Sequence, residues 1–311
     1  MNAPIAPQSL LPQHATFQLS PNPDHERLLD LKLDNAALAG FLADVNAIDV
    51  QNLEYVPFMR FHLASMLAQR MGAGFAETLV RITRDRQHGG FTVGLQGLSS
   101  DSADFVKFGT AIGHILGPGN HDPMSGTYYA RFLVKHTDTS DSYLRQAYRL
   151  FTLHTDGTFV SEATDWLLMM KFEERHAIGG ESRFLHLDDW AERDAFLANP
   201  LGARPLLYKA PGSKNVDEQV ERPVFFHGEF GLSISFIDQF VQPKDAAEAA
   251  YLKALSESME ASSGTRTVRL PVGDLVVLNN HFYVHGRAPF APNEQLHREL
   301  MRQRGMFARQ D

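Results

Sequence analysis

A histidine and an aspartate two residues apart can hold one metal ion, and this sequence offers that pair three times. KHTDTSDS carries His136 and Asp138, LHTDGTFV carries His154 and Asp156, and LHLDD carries His186 and Asp188. On a strand, residues i and i+2 project to one face, so each pair is a candidate half-site. The surroundings separate them. Asp138 falls among Thr, Ser and Asp residues that bond their own backbone, which predicts a solvated loop. His186 alternates with Phe184 on a predicted strand, and Asp188 or Asp189 is placed to cap the helix predicted over DDWAERDAFLANP. LHTDGTFV is flanked by Phe151, Leu153, Phe159 and Val160, which predicts a core strand, and Gly157 permits a tight bend after the carboxylate. A polar pair on a core strand needs a partner, either a metal ion or a His–Asp hydrogen bond.

Two ligands do not complete a site. An Fe(II) oxygenase centre takes two histidines and one carboxylate on one face and leaves other positions open. GDLVVLNNHFYVHGRAPF offers His281 and His285, four apart. His285 is preferred because Gly286 and Arg287 follow it at a predicted strand end, where a barrel mouth would lie. His281 is left as a core histidine or a support for the ligands. Further on, HRELMRQRG supplies Arg298, Arg302 and Arg304. Read as a strand, it puts Arg302 and Arg304 on one face; the alternative is a solvated basic helix. Buried arginines bind carboxylates bidentately and keep their charge, which suggests an anionic cosubstrate.

The elements that must position these residues follow from patterning. The chain has 311 residues, 43% hydrophobic and 21% charged, an ordinary globular composition. Net charge is −8, which argues against a general nucleic-acid binder. There is no cysteine, hence no disulfide framework, thiolate metal site or cysteine nucleophile. The first residues lack a basic, apolar leader, and no run approaches the ~20 apolar residues of a membrane span, so a cytoplasmic location is expected. Residues 1–25 read as a loose tail and 26–311 as one domain. From DHERLLDLKLDNAALAGFLADV to SADFVKFGTAIGHILG the spacing is helical. After Gly126 strands dominate: TYYARFLVKH, FTLHTDGTFV, TDWLLMMKFEE and SRFLHL, then a hairpin in RPVFFHGEFGLSISFID and a helix in DAAEAAYLKALSESMEAS. The expectation is an α+β chain with a β-barrel-like core, an N-terminal helical layer and helical insertions; no G-x-G-x-x-G is present.

The order HxD, HGR and a late Arg resembles the Fe(II)/2-oxoglutarate-dependent dioxygenases. LHTDGTF, GGES (Gly179–Ser182), GDLVVLNN-x4-HGR and RELMRQRG follow the taurine-dioxygenase-like branch in order. MSGTYYARFLVK, SDSYLRQ, LMMK, LHLDDW, SKNV and IDQFVQPKD resemble, more closely, the carbon-starvation-induced glutarate 2-hydroxylase (CsiD) family. That resemblance implies a double-stranded β-helix (jelly-roll) core, and Fe(II) on His154, Asp156 and His285. It implies 2-oxoglutarate as cosubstrate with Arg304 and Ser182 on its far carboxylate, and O2 as oxidant. It also implies glutarate hydroxylated at C2, a place in lysine degradation and a homotetramer. Glutarate is itself a dicarboxylate and needs cations; Arg302 and Arg145 are the candidates, with a surface role as the alternative for each. Two other classes remain open on the residues alone: a Zn2+-dependent cupin-like enzyme and a jelly-roll binding protein without turnover. Within the oxygenase class, another small carboxylate is the alternative substrate.

Overall fold

The computed structural model describes residues 14–123, 125–137, 146–210, 212 and 216–309. Two strands come first, β1 (Phe17–Pro21) and β2 (Leu29–Leu33). Helices α1 (Asn35–Val45), α2 (Val50–Tyr55), α3 (Pro57–Met71) and α4 (Phe75–Arg84) follow. Next are β3 (Gly90–Gly94), α5 (Ser102–Leu116), β4 (Tyr129–Lys135), β5 (Phe151–His154), β6 (Trp166–Arg175) and β7 (Ser182–His186). An insertion holds α6 (Arg193–Leu197), α7 (Pro200–Ala203), β8 (Leu206–Lys209), β9 (Gln219–Arg222), β10 (Phe225–Gly228), β11 (Gly231–Ile234), β12 (Val241–Gln242) and α8 (Ala246–Ala261). Strands β13 (Arg266–Val268), β14 (Asp274–Asn279), β15 (Tyr283–Arg287) and β16 (His297–Gly305) close the chain order. The architecture is mixed α+β with large sheets. Among the described residues no helix is long and apolar enough to cross a membrane.

Two sheets matter for the site. A seven-stranded sheet runs β1-β2-β3-β14-β6-β16-β4, and a four-stranded sheet runs β13-β7-β15-β5. Strand β14 shows how they are layered. Leu275 and Val277 join one apolar cluster with Phe41, Leu67 and Phe108 of the helices, while Val276 and Leu278 join a second with Phe184 and Val284 of the smaller sheet. The run DLVVLN is apolar at successive positions because both of its faces are covered. The second cluster continues to Leu252, Leu255 and Met259 of α8, which covers the outside of the smaller sheet.

Helix α5 starts where the Asp101 side chain accepts the Ala103 N–H, and it lies flat on the large sheet. Gly113 permits that approach: a Cβ there would lie 3.0 Å from both Gln303 Oε1 and the Trp166 ring. This contact fixes the facing of β16. Met301 packs into the helical cluster, and Gln303 donates to Thr110 Oγ1 of α5 at 3.2 Å. Period two then sends Arg302 and Arg304 to the other face, toward the smaller sheet.

Several expectations need correction. Of the tail expected over 1–25, residues 1–13 lie outside the described residues, whereas Phe17–Pro21 is a strand with Phe17 and Leu19 buried. LLDLKL is not helical: Leu29, Leu31 and Leu33 alternate inward on β2, which pairs with β1 and, in parallel, with β3. The helix expected over DDWAERDAFLANP shrinks to Arg193–Leu197, and neither Asp188 nor Asp189 caps it. They are drawn off by cations instead, Asp188 to Arg86 and Arg193 and Asp189 to Arg27. The hairpin β10–β11 and helix α8 stand where expected, and HRELMRQRG is a strand, not a basic helix.

Candidate metal centre

Strand β5 ends at His154, so Asp156 is not on the strand that was expected to carry it. The chain turns there, and Asn280, in the turn between β14 and β15, clamps the Asp156 backbone. Its Oδ1 accepts the Asp156 N–H at 2.9 Å, while its Nδ2 donates to the Asp156 and Thr164 carbonyls at 3.0 and 2.8 Å. Gly157, with φ of 75°, completes the bend; a Cβ there would strike Thr164 and reach to 3.6 Å from an Arg304 nitrogen. The carboxylate therefore faces the same space as His154 through a turn.

His285 lies opposite His154 on paired strands β15 and β5, with ring centroids 4.1 Å apart. Ligand atoms of His154, Asp156 and His285 all lie within 4.8 Å of one another. The His154 Nδ1 bonds the Thr152 carbonyl at 2.8 Å, which turns Nε2 to the centre, 3.9 Å from Asp156 Oδ1. An Nδ1–H donated to a carbonyl leaves Nε2 as a lone pair, the form a metal requires.

The electrostatics match. Burial lowers the pKa of His154, and burial with the neighbouring His154 pushes His285 down to about 3, so both imidazoles are neutral. Burial acts to raise Asp156, but the charges of Arg302 and Arg304 outweigh it and hold the carboxylate ionised. Two neutral imidazoles beside one anion are the protonation state a divalent ion selects. Arg302 Nη1 sits 3.2 Å from Asp156 Oδ2 and 3.4 Å from Oδ1; only the latter is a hydrogen bond, and buried Oδ2 is left without such a partner. A buried carboxylate oxygen without a hydrogen-bond donor, on a residue grouped with two imidazoles, fits a cation.

The other singled-out residues divide clearly. Arg302 also donates to Asp122 at 2.6 Å, so the residue expected to take substrate spans two protein carboxylates. Arg304 is 5% exposed, and its one hydrogen bond within the described residues is a 3.4 Å contact to the His121 carbonyl; its Nε has none. Ser182 is buried at the start of β7, opposite Arg287 and two residues from the partner of His285, on the face that carries His285. His281 bonds Asp165 at 2.9 Å and stays outside the triad. His136 is exposed on Tyr148 Oη, at 2.7 Å, and His186 bonds the Arg86 carbonyl at 3.0 Å. Asp138 and Arg145 lie outside the described residues. Sequence reasoning missed Asn280 and Asp122; the Asn-Asn pair just before the turn was the visible signal for the first.

The fold and the site thus define a two-histidine, one-carboxylate centre set between two sheets, with a buried arginine beside it. The CsiD family matches residues 17–307, and the chain belongs to that family. Among its relatives, glutarate 2-hydroxylase of Klebsiella pneumoniae (strain 342) is 43% identical over 305 residues, covering 97% of this chain and 94% of its own. Glutarate 2-hydroxylase of Citrobacter koseri is 44% identical over 297 residues, covering 94% and 91%. An asparagine oxygenase in complex with Fe(II), 2S,3S-3-hydroxyasparagine and succinate superposes with a TM-score of 0.72 at 15% identity, over 89% of this chain and 93% of that one. The non-heme iron oxygenase OrfP in complex with Fe and alpha-ketoglutaric acid gives 0.63 at 18%, over 88% and 91%. At such identities the likeness to these two structures concerns the fold.

Proposed function

We propose that this chain is an Fe(II)- and 2-oxoglutarate-dependent dioxygenase that hydroxylates glutarate at C2. The observation that carries the reading is Arg304: a buried guanidinium with an unpartnered Nε, lying against Gly157 next to the triad. A buried cation in that state calls for an anionic partner. Membership of a family whose relatives are named glutarate 2-hydroxylase supports the substrate. Two stacked sheets with a helical layer support a double-stranded β-helix core, the fold of the non-heme oxygenases it superposes on.

His154, Asp156 and His285 would hold the iron, and Arg304 would receive the far carboxylate of 2-oxoglutarate, with Ser182 as its second contact. When bound, iron with 2-oxoglutarate and O2 supplies the oxidising chemistry that turns C2–H of glutarate into C2–OH and leaves succinate and CO2. The protein's part is placement and charge. Neutral imidazoles offer their lone pairs, Arg302 keeps Asp156 ionised and oriented, and the sheets keep water from the buried cations. No side chain needs to act as general acid or base. Within this reading the reaction serves lysine breakdown in the cytoplasm and the enzyme is a homotetramer, which light scattering of the purified protein would check.

The decisive assay measures succinate formed with Fe(II), 2-oxoglutarate and one candidate substrate at a time. Glutarate is expected to stimulate succinate release strongly, and taurine or succinate to leave it at background. Stimulation by a different carboxylate and not by glutarate would replace the substrate; turnover without O2 would replace the class.

A further inference from the structure

Strand β5 is four residues long and sits at the edge of its sheet. It meets β15 at two opposed positions, His154 with His285 and Phe151 with Arg287, with an irregularity between them. So short and interrupted a ladder holds its register weakly, yet this strand carries a metal ligand. The outer edge supplies what the ladder lacks. The Thr155 N–H donates to the Phe236 carbonyl at 2.8 Å, and Thr155 Oγ1 accepts the Phe236 N–H at 3.0 Å. The Leu153 N–H, next to His154, has no strand to pair with and donates instead to Glu260 Oε1 at 2.6 Å.

Glu260 comes from the last turn of α8, in a different part of the chain. Its second oxygen accepts from Arg183 of β7, and the two side chains are only 13% and 16% exposed. The residue opposite Arg183 on the intervening strand is Gly286, so no side chain stands between them. A carboxylate accepting a backbone N–H makes a shorter and stronger bond than a carbonyl does. We propose that Glu260 is a positioning residue for the metal centre: its carboxylate replaces an absent neighbouring strand, and Arg183 aims it, so that His154 stays in register with His285. The inference rests on the metal-centre reading above.

The test uses full-length metal-free protein titrated with Co(II), followed by the visible d–d absorption, with the melting temperature of the metal-free form as a folding control. Wild type is expected to bind one Co(II). E260A is expected to bind about 10–100-fold more weakly, as loss of a group that orients a ligand does. E260Q keeps an acceptor for Leu153 and should restore most of the affinity, with the wild-type spectrum. Amide hydrogen exchange over 151–156 should quicken in E260A and not in E260Q. Equal affinity in E260A and wild type, or E260Q as weak as E260A, overturns the proposal while leaving the metal centre intact. Should E260A not fold, R183M decides, since it leaves the carboxylate unaimed: weaker binding supports the proposal and wild-type affinity overturns it. A wild type that binds no Co(II) overturns the metal centre and this inference together.

Discussion

Arg302 and Arg304 leave the same face of β16, two residues apart, Arg304 buried and Arg302 half-buried, and their surroundings differ. Burial works against the charge on Arg302, but Asp156 and Asp122 outweigh it and raise its pKa. Arg304 meets burial and the repulsion of Arg302, and its pKa falls. The Nε of each is without a hydrogen-bond partner, but the terminal nitrogens of Arg302 meet two carboxylates and those of Arg304 only the His121 carbonyl. Identical spacing on one strand thus leads to two different electrostatic surroundings. In the proposed reading, Arg302 would stabilise the site before anything binds, and Arg304 would receive the anion.

Each arm of this comparison can be broken separately. The largest effect is expected for R302A, which leaves Asp122 and Asp156 as neighbouring buried carboxylates without their shared cation. Loss of one partner from a buried pair costs about 3–5 kcal/mol, and chemical denaturation of the metal-free protein should show it. R304A should go the other way: no loss of stability without ligands, because a repulsive pair is relieved. Its 2-oxoglutarate affinity, read by calorimetry with Co(II) present, should fall by about 1.5–3 kcal/mol, the range for a hydrogen bond to a charged group. A destabilised R304A with undiminished 2-oxoglutarate binding would reverse the roles assigned to the two residues. D122N keeps the shape and removes one of the two charges on Arg302, so about 1 kcal/mol of stability should be lost; a loss as large as that of R302A would mean Asp156 contributes nothing to holding Arg302. The smallest effect is expected at the first HTD copy. H136A removes an exposed ring bonded to Tyr148, and stability and succinate formation should stay within about 0.5 kcal/mol of wild type.

How much of this was legible in the sequence depended on whether the information was local. The RxR face of β16 could be read because a period of two needs only neighbours, once the strand was granted. The apolar flanks pointed to the HxD pair that the fold brings together with His285. The position of Asp156 could not, because it depends on Asn280, over a hundred residues away, whose two bonds to one peptide make a turn do the work expected of a strand. Asp188 and Asp189 look like helix caps until Arg27 and Arg86 are brought alongside by the fold. Strand β1 was taken into the tail, and β2 was read as helix because Leu29, Leu31 and Leu33 sit just before a true helix. For Asp156, Asp188 and Asp189 a long-range partner overrode a sound local preference.

Strand β16 lies between β6 and β4 in the sheet, although it comes last of the strands in chain order. During synthesis, therefore, the facing edges of β4 and β6 wait with open backbone groups until the residues from His297 onward have been made. The two arginines arrive with the strand that closes that gap, so the proposed anion site would form only when the sheet is complete. A nascent chain halted before this point carries all three prospective metal ligands but neither cation, and it exposes two unpaired edges of the kind that promote aggregation.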